Sequence, residues 1–107
     1  MAFNIKQNDT SPQIAANLKD GSGNARDVTG ATVKFHMKRI GAATASVNSN
    51  ATIVSANTGF VKYAWQTGDT STAGSFQAEF QVTFADGSIE TFPNDGSIAI
   101  DITPELA

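Results

Sequence analysis

The chain has 107 residues, a formal net charge of −3 and no cysteine. That length suits one domain, residues 1–107, rather than two. The missing cysteines exclude disulfides and thiolate metal sites, and the thin acidic balance argues against nucleic acid as a partner, which calls for a basic patch.

Residues 2–7 alternate, with Phe3 and Ile5 on one face, and read as a first strand. Asn8 to Pro12 is turn chemistry. A second strand over 13–18 carries Ile14, Ala16 and Leu18 on one side, and Asp20 to Asn24 turns the chain. Residues 31–38 point Val33, Phe35 and Met37 inward and Thr32, Lys34, His36 and Lys38 outward. The stretch 41–50 is Ala-, Ser- and Asn-rich and shows no 3.6-residue stripe, so it reads as a short edge strand through Ala45, Ser46 and Val47 rather than a helix. A strand over 51–55 follows, then one over 60–66 in which Val61, Tyr63 and Trp65 alternate with Lys62, Ala64 and Gln66.

The clearest alternation is 74–84, with Phe76, Phe80, Val82 and Phe84 separated by polar residues. Asp86-Gly87 predicts a two-residue type I′ hairpin into 88–92. Pro93 to Gly96 turns again, 97–102 closes the fold, and 103–107 is a tail. Seven to nine short strands with frequent turns predict an all-β antiparallel sandwich. Its dry layer is Phe35, Tyr63, Trp65, Phe76, Phe80, Val82 and Phe84.

Little reactive chemistry is visible. Nucleophilic catalysis needs a nucleophile beside an oriented base. The single histidine, His36, falls on the outward phase and reads as a solvated sheet-face residue. Asp9, Asp20, Asp27, Asp69, Asp86 and Asp95 sit in turns, where turn geometry accounts for them better than calcium does. Glu79 and Glu90 both read as outward, a wet face rather than a glycosidase pair. Phe60 and Phe92 are the aromatics off the main buried phase, placed at the core rim or in a sugar-stacking surface. Lys34, Lys38 and Arg39 read as the wet face of one strand, or as a contact for an acidic neighbour. No metal site, cofactor or catalytic residue is expected.

Residues 1–20 lack the basic start and apolar run of a signal peptide, and no stretch approaches the ~20 apolar residues of a membrane span. With Met1 as the native start, the expectation is synthesis in a cytoplasm without Sec export, and no membrane partner.

The order of landmarks is more specific than any one motif. Ile5-Lys6-Gln7-Asn8-Asp9-Thr10-Ser11-Pro12 is followed by Leu18-Lys19-Asp20-Gly21, by Val28 to Met37, and by Asn57-Thr58-Gly59-Phe60-Val61-Lys62-Tyr63-Ala64-Trp65. Gly74-Ser75-Phe76 and Thr91-Phe92-Pro93 come later. Over roughly residues 3–102 this resembles the immunoglobulin-like domain at the N-terminus of phage baseplate upper proteins and of related small tailed-phage virion proteins. The resemblance implies an immunoglobulin-like sandwich that is a non-enzymatic part of the virion, made in the host cytoplasm. Its expected partners are other virion proteins, met in multiple copies within a symmetric assembly. Baseplate members carry a further receptor-binding region, whereas this chain stops at Ala107, which favours a stand-alone or adaptor subunit. The uncharged segment 42–49 is expected at an interface or mobile. The alternative is a host-surface or glycan-binding module on the same fold.

Overall fold

The computed structural model describes residues 2–106, and among them nine strands form two sheets with no helix. The strands are β1 (Phe3–Lys6), β2 (Ile14–Asn17), β3 (Thr32–Arg39), β4 (Val47–Asn50), β5 (Thr52–Ser55), β6 (Phe60–Tyr63), β7 (Gly74–Thr83), β8 (Ile89–Phe92) and β9 (Ile98–Thr103). The larger sheet runs β1-β9-β7-β3-β4, with β8 also on β7, and the smaller runs β2-β6-β5. The expected all-β sandwich is present, with one addition. β1 pairs β9 in parallel, Phe3 opposite Ile100 and Ile5 opposite Ile102, so the larger sheet is mixed.

β7 is the spine because it is the longest strand and alternates throughout. One edge pairs with all of β3, placing Val33 opposite Val82, Phe35 opposite Phe80 and Met37 opposite Ala78. Its other edge is shared in succession: β9 covers Gly74 to Ala78 and β8 covers Phe80 to Thr83. The inward side chains of this sheet meet Ile14, Val61 and Tyr63 of the smaller sheet in one apolar layer. Phe35 stacks on Tyr63 at 4.5 Å, meets Trp65 edge-on at 5.5 Å and leans on Phe80 at 5.2 Å.

Several sequence expectations shift. Phe84 is not core: β7 ends at Thr83, and Phe84 lies half-buried beneath the Arg26 guanidinium, 4.5 Å from its ring centre. Phe92, by contrast, is fully inside. The edge strand is Val47–Asn50 rather than 45–47, because Val47, the one large apolar residue there, takes the buried place opposite Met37. The β7–β8 hairpin has a three-residue loop. The Phe84 carbonyl accepts from the Gly87 amide, the Phe84 amide donates to the Ser88 carbonyl, and only Gly87 takes positive φ. A type I′ turn would need Asp86 there as well, so this is the type I turn with a left-handed glycine that three-residue hairpins favour. The tail begins later than expected, since Thr103 is still in β9, and Ala107 lies outside the described residues.

One polar lock sits beneath the core. The Tyr63 hydroxyl donates to Asp69 Oδ2, which also accepts the Gln66 amide at 2.9 Å. Burial, then the Asp69 bond and charge, push the phenol up to about 12. Below the ordinary tyrosine value of about 10 the phenol is protonated in folded and unfolded chains alike, and this contribution is complete. Between about 10 and about 12 the unfolded chain ionises first, and about 2 kcal/mol is lost. Denaturant midpoints from pH 9 to pH 12 should therefore fall more steeply for the native protein than for Tyr63→Phe. Equal slopes would show that the phenol contributes nothing.

Candidate functional site: the outer face of the larger sheet

The outward phase of β3 is Lys34, His36 and Lys38, and register decides what stands beside them. β7 places Gln81, Glu79 and Gln77 opposite these residues. On the other flank β4 places Asn50 opposite Lys34 and Asn48 opposite His36. The result is a sheet face built from amides, amines and one histidine–carboxylate contact. His36 Nδ1 lies 3.0 Å from Glu79 Oε2, with the His36 side chain 22 % exposed. His36 is thus half-buried and partnered, rather than the freely solvated residue its outward phase suggests.

A groove of about 520 Å³ runs over this face. It is lined by His36, Lys38, Asn48, Gln77 and Glu79, with Ala45 from the loop before β4 and Gly96 and Ser97 from the loop between β8 and β9. Lysine ammonium and carboxamide groups on a firm sheet suit hydrogen bonding to a polar partner. The His36–Glu79 pair and Ser97 are the residue types of a hydrolase site. Among the described residues, His36 Nδ1 is taken up by Glu79 and no hydrogen bond joins Ser97 to the imidazole. Nor do three acidic or histidine groups converge as metal ligands among them.

Of the interface residues expected from sequence, Lys38 and Ala45 line the groove and Lys34 stands on the same face. Ser46 instead closes the chain onto β3, its amide and hydroxyl both donating to the Met37 carbonyl. Val47 is core and cannot be part of a surface. Arg39 has the opposite phase from the lysines, and its guanidinium lies against Gly74, where a Cβ would meet Nη2 at 3.1 Å.

Glu90 also departs from expectation. It pairs across from Val82, not Glu79, on the inward phase at the end of the sandwich, and accepts from Arg26 Nε at 3.0 Å. The turn aspartates serve their turns. Asp20 accepts from the Asn24 and Ser22 amides, and Asp27 and Asp86 each accept from the hydroxyl and amide two residues on, at Thr29 and Ser88. These bonds hold all three carboxyls below their ordinary value. All the aromatic side chains, Phe60 included, are buried or half-buried.

Residues that sequence reasoning did not single out, chiefly Asn48, Gln77 and Ser97, complete the groove. Gln77 carried a signal in its outward phase, whereas Gly96 and Ser97 carried none, because a loop's position over a sheet is set by the fold around it.

Residues 2–93 match the family model of the BppU N-terminal domain. The chain belongs to this family. BppU N-terminal domains are phage baseplate upper protein domains, which places the chain among the structural parts of phage particles. No curated protein matches it. The BppU match covers β1 to β8 together with Lys34, His36, Lys38 and the facing residues of β7. It stops before β9, although Ile100 and Ile102 of β9 are buried in the same core.

Proposed function

We propose that this BppU-family chain is a non-enzymatic assembly component of a tailed-phage baseplate, joined to other virion proteins through the outer face of its larger sheet. The observation that carries this reading is the groove over β3, β4 and β7, with Lys38, Asn48, Gln77 and Glu79 in its lining, in a domain of baseplate type. Lys34 and Lys38 have no carboxylate partner among the described residues, so an acidic surface of a neighbour can take them without breaking an existing ion pair. The protein is made in the host cytoplasm and is present in the virion in multiple copies as one domain.

The test is incorporation. Mass spectrometry of purified particles should find the native chain at a fixed, multiple copy number. Lys34→Glu with Lys38→Glu should leave the thermal midpoint nearly unchanged, since both side chains are exposed. The same double variant should lower incorporation about tenfold through like-charge repulsion. Native copy number for that variant would remove this face from the assembly, and a response of the chain to glycans would favour the host-surface reading.

A further inference from the structure

A second cavity has a different character. Because β8 and β9 take successive halves of one edge of β7, the chain must leave the sheet between Phe92 and Ile98. At that break lies a slot of about 250 Å³, lined by Ala16, Leu18, Phe80, Phe92, Pro93 and Ile98, with Asn17 and Lys19 also in its lining. β2, an edge strand of the smaller sheet, supplies Ala16, and Leu18 and Lys19 follow it directly. The slot is therefore an apolar opening into the sandwich with one exposed cation beside it.

The chain carries a group of matching chemistry elsewhere. Leu106 is completely exposed, three positions beyond the end of β9, with Glu105 before it and Pro104 before that. Asn8 Nδ2 donates to Glu105 Oε1, which holds the base of this tail at the far end of β9 from the slot and leaves Oε2 for a second partner. The tail cannot reach the slot of its own chain. From Ile98 to Thr103 the strand carries the backbone away by about 16 Å, at ~3.3 Å per residue. The steps from Thr103 to Leu106 return at most about 10 Å.

We infer that the slot receives Leu106 of a second copy of this chain, with Glu105 of that copy set against Lys19. The slot and the tail lie at opposite ends of one strand, so the contact joins two different patches: it closes as a twofold dimer if each tail enters the other copy's slot, and otherwise runs head-to-tail. Repetition closes a ring or extends a row according to the rotation between copies. Lys19 has no carboxylate partner among the described residues and is free to take one. Pro104 restricts the tail and lowers the ordering cost of docking. This contact uses a different surface from the groove of the larger sheet and stands or falls separately from it.

Sedimentation velocity of the full chain tests it. The native protein should show weight-average size rising with concentration. Leu106→Asp changes only an exposed side chain, leaves the fold intact, and should weaken association by at least about tenfold. Lys19→Glu and Glu105→Lys should each weaken it, and the double swap should restore it. In the native protein, backbone amide resonances of Ala16, Leu18 and Ile98 should shift with concentration. A native chain that stays monomeric to about 1 mM, or a Leu106→Asp variant that associates like the native chain, overturns the inference.

Discussion

Gly59→Ala should come close to unfolding the protein. Gly59 has φ +67, a left-handed conformation that costs a residue with a Cβ about 1–2 kcal/mol. Space is the larger problem. A Cβ there would sit 2.5 Å from the Arg26 carbonyl oxygen and 2.9 Å from that of Leu18. Both are backbone atoms held in place: the Leu18 amide donates to the Gly59 carbonyl and the Arg26 amide donates to the Leu18 carbonyl. Relief must break one or both bonds, each contributing about 0.5–1.5 kcal/mol, and lift the 18–26 loop from the sandwich. The total is about 3–5 kcal/mol, a large share of the ~5–15 kcal/mol typical of small domains, and a fall in thermal midpoint of about 15–30 °C. Gly21→Ala is the control. It meets nothing within 4 Å and has no positive φ, so its midpoint should stay near the native value. A Gly59→Ala protein that melts beside the Gly21→Ala control would mean that the loop crossing is not rigid.

That crossing was not legible in the sequence, where Asn57-Thr58-Gly59 reads simply as a turn. The central strands were legible because β3 and β7 alternate without interruption and their buried phases follow directly from period two. Alternation failed at strand ends. Arg39 and Glu90 both occupy inward phases, yet each lies where the sandwich runs out, and a guanidinium or carboxylate there still reaches water or a partner. Alternation is also silent about direction, since β1 would show the same Phe3 and Ile5 pattern beside β9 in either orientation. In β4, Asn48 and Asn50 are poor strand formers by composition. They are extended because pairing with β3 outweighs local preference. The candidate face was half legible. The lysines announced their side of β3, but joining His36 to Glu79 required the β3–β7 register, and the groove required two loops whose placement no local pattern specifies.

Phe35→Ala should be the most damaging side-chain truncation, and its contrast with Phe84→Ala separates the dry layer from its rim. Phe35 has no exposed surface and is surrounded by Tyr63, Trp65 and Phe80. Removing the ring leaves a hole between two sheets whose backbones are tied on both sides by strand pairing, so collapse is poor and the cost is about 3–5 kcal/mol. Phe84 offers less to lose. It is half-buried, and its outer surface is covered by an Arg26 side chain that also holds Glu90 and can settle into the space. Phe84→Ala should cost about 1–2 kcal/mol, mostly lost cation–π contact and partial burial. The single tryptophan makes the comparison site-specific, because Trp65 meets the Phe35 ring edge-on. Its emission in the folded state should change in Phe35→Ala and stay constant in Phe84→Ala, while denaturant midpoints give the energies. Equal destabilisation by the two truncations would mean that the aromatic layer extends through Phe84 to the end of the sandwich, and that Arg26 covers core rather than rim.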